Sequence, residues 1–328
     1  VISLDQIKQA RERIAPHVYR TPLIRSTFLS DLCGADVRLK LECQQILNAF
    51  KVRGMINRVL TMSDEDRRRG IVVASSGNHG IAASYCGHRW GIEVEVYAPR
   101  TTPATKVERI RRLGAALNLE GRDYDDAYQR AKARAEETGK VYVDSSSDPV
   151  AVAGHGSIAY EILEDFPDLD TMVVPFGGGG LATSVGTVIR DARPRARIYG
   201  LQSQASPALT ASLRDNVCYE AYPSDPSICE GLIGGIGAIG FAHARQVLDV
   251  TEDVNEETVR AAIVRLVMED KVIAEGSGAV GAAYLMDHPE EFRDRRVAVI
   301  ISGGNLDFSV LAEEIRRRSG LGEAKPAS

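Results

Sequence analysis

Cysteine is scarce and poorly placed for building structure. The 328 residues hold five, Cys33, Cys43, Cys86, Cys218 and Cys229, each alone in its neighbourhood. An odd count with no Cys-x-x-Cys pair argues against a disulfide framework and against zinc, and fits reduced thiols. The six histidines form no His-Glu-x-x-His run and no cluster at metal spacing. No apolar run approaches the roughly 20 residues that a membrane-spanning helix needs. No signal-peptide pattern opens the chain, so a cytoplasmic protein without a membrane partner is expected. The net charge of -5 lacks the basic surplus that a nucleic-acid partner demands. What remains is an ordinary globular composition, 44% hydrophobic and 26% charged, in a chain long enough for one large or two medium domains.

Periodicity then divides the chain. Residues 3–15 read as an amphipathic helix, and Pro22 makes Tyr19–Leu23 an extended connector. Residues 35–42 alternate as a strand does. Short apolar strands are predicted at 70–74, 94–98, 141–143, 171–175, 198–201 and 297–301. Between them run helical patterns, among them one capped by Thr102 with Pro103 at its first position, one over roughly 124–137, one opened by Ala153-Gly154-His155-Gly156-Ser157 and one over 255–270. Alternation of this kind implies an α/β fold of two doubly wound parallel sheets with ligands at the carboxyl ends of the strands.

Three glycine-bearing loops fall at such strand ends: Ser75-Ser76-Gly77-Asn78-His79-Gly80, Phe176-Gly177-Gly178-Gly179-Gly180-Leu181 and Ser302-Gly303-Gly304-Asn305. Four glycines between a core strand and a helix let several bare N–H groups close around a phosphate. No Gly-Lys-Ser/Thr follows, so this is not a Walker loop. The dinucleotide-like spacing at Gly235, Gly237 and Gly240 lacks a clean preceding strand and reads as a chance match. In Asn48-Ala49-Phe50-Lys51-Val52-Arg53-Gly54, a lysine opens a helical pattern where burial and the helix dipole both disfavour it. Either the amine is there for chemistry or it is a surface lysine beside Arg53. One phosphate site, one reactive lysine and no metal motif suit pyridoxal 5'-phosphate, which has both a phosphate and an aldehyde.

With these motifs in order over nearly the whole chain, the sequence resembles the fold type II pyridoxal-phosphate enzymes, in the threonine/serine dehydratase and serine racemase branch. The resemblance rests on Phe50-Lys51-Val52-Arg53-Gly54, on the Ser75–Gly80 loop and on the two later glycine loops. It implies a large domain from 1–68 and 146–320, a small domain from 69–145 and a disordered tail at 321–328. It implies that Lys51 carries the cofactor as a Schiff base and moves the Cα proton, with Ser76 as acid/base on the opposite face in a racemase. Gly177, Gly178, Gly179, Gly180 and Leu181 would take the phosphate, Asn78 the ring hydroxyl and Ser302 the ring nitrogen. Phe50 would pack on the ring, with Glu275 either a buried acid nearby or a loop charge. Ser75, Ser76, Asn78 and His79 would receive the substrate carboxylate, while His155 is expected to serve packing.

The implied activity is a carbon–oxygen lyase that turns a small-molecule β-hydroxy amino acid into a 2-oxo acid and ammonia, as a homodimer. A racemase, or a cofactor-binding protein without catalysis, is the alternative. Departures from the family pattern are Leu47-Asn48 in place of Thr-Gly or Ser-Gly, Glu230-Gly231 in place of Asp-Gly, and Gly276 after Glu275. Gln202 and Ala208 stand where cation-binding relatives have carboxylates, so no metal site is expected.

Overall fold

The computed structural model describes residues 2–75, 77–102, 104–122 and 124–319. Ser76, the Pro103 helix start and the tail at 321–328 lie outside the described residues. Ten strands are present among the described residues: β1 (Leu23–Arg25), β2 (Asp36–Lys40), β3 (Ile71–Ala74), β4 (Val94–Pro99), β5 (Ala116–Gly121), β6 (Val141–Tyr142), β7 (Thr171–Pro175), β8 (Arg197–Ser203), β9 (Val250–Val254) and β10 (Arg296–Ile300). They form a six-stranded sheet in the order β1-β2-β10-β7-β8-β9 and a four-stranded sheet in the order β5-β4-β3-β6. Every pairing is parallel except β1 with β2. The α/β class with two wound parallel sheets is thus observed, and the connector expected to be only extended includes the short antiparallel strand β1.

The central strands explain why the apolar runs are continuous. All five residues of β7 and all four of β3 are buried, because a parallel sheet is covered on both faces. Met172 and Val174 enter one hydrophobic cluster and Val173 another, as the two-residue period of a strand requires. β10 alternates likewise, Val297 and Val299 against Ala298 and Ile300.

Several helices differ from expectation. The segment Ala153–Ser157 opens a helix as expected, Ser157–Asp165, but its first three residues end an earlier one, Pro149–His155, capped by Asp148 through the N–H groups of Val150 and Ala151. Thr102 donates its hydroxyl to the Pro99 carbonyl at 2.7 Å; the helix start it is expected to cap lies outside the described residues. The predicted helix over 255–270 is α-helical at Glu256–Arg265 and continues as a π turn at Leu266–Asp270.

The helix Lys51–Leu60 is held between the sheets by buried charge. The Arg53 guanidinium is fully buried. It donates to Glu42 at 2.8 Å through both Nε and Nη2 and to Glu161 at 2.7 Å through Nη1. Lys40, also fully buried, donates to Glu161 at 2.6 Å and to the Thr21 carbonyl at 2.7 Å. Burial alone would raise the Glu161 carboxyl, yet Arg53 and Lys40 more than offset this and hold it below the ordinary range. On the opposite side the helix crosses Pro149–His155 tightly. A Cβ at Gly54 would lie 2.3 Å from the His155 ring and 2.5 Å from the Ala151 carbonyl oxygen.

Removing the Arg53 cation leaves Glu42 without a charged partner and Glu161 with Lys40 alone. Arg53→Met is expected to cost about 3–5 kcal/mol of stability, read as a lowered midpoint in urea unfolding. A loss below 1 kcal/mol would show that the network does not hold this helix.

Candidate active site

The carboxyl ends of strands from both sheets converge on Lys51. After β2 the chain runs through two short turns, Glu42–Gln44 and Ile46–Asn48, to Phe50. The Phe50 N–H donates to the Ser302 carbonyl, just beyond β10, at 3.1 Å. The Lys51 amine stands 4.9 Å from the centre of the Phe50 ring. It has no hydrogen-bond partner among the described residues, although Asp144 and Glu275 are near enough to act on its charge. Burial outweighs those two carboxylates and lowers the amine from 10.5 to about 8. An amine poised there is nucleophilic and basic near neutral pH. Of the two readings of this lysine, the surface pair with Arg53 is excluded, since Arg53 is buried in a network of its own.

The glycine loop after β7 meets the ends of two other segments. A Cβ at Gly177 would lie 2.5 Å from the Gly231 carbonyl oxygen, at Gly178 2.5 Å from Ser146 Oγ, and at Gly180 3.1 Å from the Ser145 carbonyl oxygen. Gly179 takes a left-handed φ of 92° that a side chain would strain. The loop is therefore narrow and bare. It leads into helix Gly180–Ala192, which begins with no side-chain cap. Other helices are capped by Ser3, Ser26, Ser63, Asp148 and Asn255, whereas helices such as Ala208–Asp215 and Ala238–Val247 are not, so the missing cap matters here because a glycine cradle precedes it. Uncapped N–H groups at the end of a narrow glycine cradle fit a phosphate dianion. The Leu181 side chain packs in the core, so only its backbone can serve that anion. The spacing at Gly235–Gly240 is not a dinucleotide fingerprint, since no strand lies between Asn216 and Gly237. It packs on the phosphate loop instead: a Cβ at Gly240 would lie 2.5 Å from the Gly178 carbonyl oxygen.

The loops after β3 and β10 close the other side. Ser75 accepts the Gly77 N–H at 3.1 Å and so shapes the turn. Helix Asn78–Trp90 begins without a side-chain cap, leaving N–H groups for a carboxylate. The His79 Nε2 donates to the Val143 carbonyl at 2.9 Å. Burial first and Lys51 second lower this imidazole to about 4, so it is neutral. His155 is buried edge-on to Phe50, ring centres 4.8 Å apart, with neither nitrogen at hydrogen-bond geometry. That is the packing role expected of it.

Glu275 precedes helix Gly276–Asp287, is half-buried and accepts a hydrogen bond from Asn78, which decides against a loop charge. Burial pushes its carboxyl up to about 7, against the Asn78 Nδ2 that donates to it at 2.7 Å. Ser302 is 5% exposed, and its hydroxyl makes only a long contact, 3.4 Å, to the Ser277 carbonyl. A bare glycine cradle, a half-buried amine with no hydrogen-bond partner among the described residues and a neutral hydroxyl together fit pyridoxal phosphate.

Four site groups escaped the sequence reading: Asp144, Arg53, Arg109 and the side-chain role of Asn305. Asp144 accepts the N–H groups of Ser146 and Ser147, both at 2.8 Å, and so shapes the wall of the phosphate cradle. Its position just after β6 was the available signal. Gln202 Oε1 accepts the Leu209 N–H at 2.6 Å, while its buried Nε2 has no partner among the described residues. No group of three metal-ligating side chains occurs among the described residues. No helix there is long and apolar enough to cross a membrane.

Known proteins agree with this geometry. The L-threonine ammonia-lyase of Thermotoga maritima is 37% identical over 318 residues, covering 97% of this chain and 79% of that protein. The catabolic L-threonine dehydratase of Escherichia coli K12 is 30% identical over 315 residues, 95% of each chain. The solved serine racemase of maize superposes with a TM-score of 0.87 at 29% identity, covering 98% of this chain and 99% of that one. The family model described as pyridoxal-phosphate dependent enzyme matches residues 14–303. Matched over that span, and with the cradle and amine in place for the cofactor, the chain belongs to the pyridoxal-phosphate-dependent enzymes.

Proposed function

We propose that the protein is a carbon–oxygen lyase that removes water and then ammonia from a β-hydroxy amino acid, L-threonine, L-serine or a related 3-hydroxy amino acid. The observation that carries this reading is the Lys51 amine, half-buried, without a hydrogen-bond partner among the described residues and lowered to about 8, set beside a bare glycine cradle. Bound there, pyridoxal phosphate supplies an electron sink for the bond that breaks at Cα. The N–H groups of Gly177–Leu181 hold its phosphate, and Ser302 offers a hydroxyl, not a carboxylate, to its ring nitrogen. A neutral partner at that nitrogen favours elimination over transamination.

The uncapped start of helix Asn78–Trp90, with Ser75, Ser76 and Asn78, receives the substrate carboxylate. Lys51 Nζ takes the Cα proton, the electron pair left behind forms the Cα–Cβ double bond as the Cβ–O bond breaks, and the proton held on Nζ passes to the departing hydroxyl, which leaves as water. The enamine released adds water and loses ammonia to give the 2-oxo acid. In this reading residues 69–145 form the small domain and 1–68 with 146–320 the large one. The enzyme works on its small-molecule substrate as a cytoplasmic homodimer. The likeness to a serine racemase keeps racemisation as a second outcome.

A panel of 3-hydroxy amino acids assayed for 2-oxo acid and ammonia tests the reaction. At least one is expected to turn over, and no product from any of them would sink the lyase. Chiral analysis of recovered serine and threonine separates racemisation from elimination.

Lys51→Ala is expected to abolish covalent attachment of the cofactor, read by mass spectrometry after borohydride reduction. Attachment persisting in the variant would place the reactive amine elsewhere.

Because only the free amine attacks a carbonyl, capture of added cofactor by the cofactor-free protein should quicken as pH rises and level off above about 8. The rise should be roughly tenfold per unit below that value. Continued acceleration up to 10.5 would mean that the amine is an ordinary exposed lysine.

A further inference from the structure

Two consecutive residues shortly before Lys51 hold backbone conformations that residues with side chains avoid. Leu47 has φ 65° and Asn48 φ 59°, and neither is glycine, so the surroundings must hold them there. The Gly304 N–H donates to the Asn48 carbonyl at 2.9 Å. The Leu47 carbonyl accepts from two side chains, Asn305 Nδ2 at 2.8 Å and Arg109 Nη2 at 3.1 Å.

The Asn305 amide is fully used. Its Nδ2 also donates to Asn78 Oδ1 at 2.6 Å, and its Oδ1 accepts from Arg109 Nη1. Asn78 in turn donates through Nδ2 to Glu275. The direction of this chain follows from its outer end. A guanidinium can only donate, so Asn305 must turn Oδ1 toward Arg109 and Nδ2 inward. Asn78 must then present Oδ1 to Asn305, which leaves its Nδ2 facing the site. Asymmetry imposed by one arginine therefore passes through two amides to the cofactor pocket. Arg109 belongs to helix Ala104–Arg112, between β4 and β5 of the four-stranded sheet, whereas Asn305 follows β10 of the other.

We propose that Asn305 is a positioning residue: it sets the amide orientation of Asn78 and holds the left-handed Leu47–Asn48 turn that leads to Lys51. The part concerning Asn78 rests on the proposed reading of the site; the part concerning the turn does not.

Asn305→Asp keeps the size and the acceptor toward Arg109 but removes both donors. In the cofactor-free variant, amide exchange over residues 46–50 should quicken roughly tenfold or more, with β7 unchanged. In the loaded enzyme the cofactor dissociation constant and KM should each rise roughly tenfold, with kcat less affected. Adding Asn48→Gly, which takes a left-handed φ without strain, should restore exchange protection and KM but not cofactor affinity. Arg109→Met, which leaves only the Leu47 carbonyl to fix the direction of the Asn305 amide, should weaken cofactor binding without Asn305 being touched.

Wild-type exchange and cofactor affinity in Asn305→Asp would overturn the proposal. So would a second change that restores everything or nothing, since a residue that merely stabilises the fold would not separate the two readouts. Exchange and cofactor affinity need no turnover, so a failure of the amino-acid panel leaves both readable.

Discussion

The buried Arg53 guanidinium decides how helix Lys51–Leu60 is turned, and the site depends on that turn. Residues two apart on an α-helix project roughly 200° apart around its axis. Fixing Arg53 to Glu42 and Glu161 on one side therefore aims Lys51 to the other, toward Asp144 and Glu275. Two cations and two carboxylates make up the network with Lys40, so it specifies orientation without adding a net charge near the amine. Burial then lowers Lys51. The close crossing at Gly54 and Gly154 supplies the complementary constraint: a Cβ at Gly154 would lie 2.7 Å from the Arg53 carbonyl oxygen. The helix can neither rotate nor lift without breaking one or the other.

Much of this architecture is legible from residues alone, for identifiable reasons. β3, β7 and β10 are apolar without interruption because they are covered on both faces, and each ends in a glycine-bearing loop whose composition has no use in a core. Lys51 shows itself by local conflict, a cation at a helix start. What stayed hidden is equally physical. β1 and β9 are edge strands of mixed polarity, and half-exposed strands carry weak patterns. Arg53 looks like any surface arginine, because its partner Glu161 is 108 positions away. Asn305 is plain in its motif, but its task is set by Leu47 and Asn78, at separations of 258 and 227 positions. Pairings across such distances leave no periodicity.

Away from the site, strand faces alternate, the core is apolar and the helices opened by Ser3, Ser26, Ser63, Asp148 and Asn255 are capped. Around Lys51 local and global preferences disagree. An amine is lowered, a carboxyl is raised, helices Lys51–Leu60, Asn78–Trp90, Gly180–Ala192 and Gly276–Asp287 start without a side-chain cap, and two residues with side chains take left-handed φ. Such features cost free energy and persist where surrounding structure over-determines them. Here that structure is identifiable: the Arg53 network under the amine, and the amide chain from Arg109 to Glu275 over the turn.

The two shifted groups also constrain each other. Lys51 at about 8 and Glu275 at about 7 both move toward the neutral form, as burial in one water-poor cleft requires. A more exposed cleft would return the amine to its charged state and cost it nucleophilicity. A drier one would make any anionic cofactor harder to bind unless donors were already in place. The bare N–H groups of the glycine loop and of helix Gly180–Ala192 meet that requirement with dipoles, not full charges. In the proposed reading they would hold an anion without adding a second cation beside the lysine, which would depress its amine further. That balance explains why the phosphate cradle is built from backbone, and why the arginine that orders the cleft acts through two neutral amides.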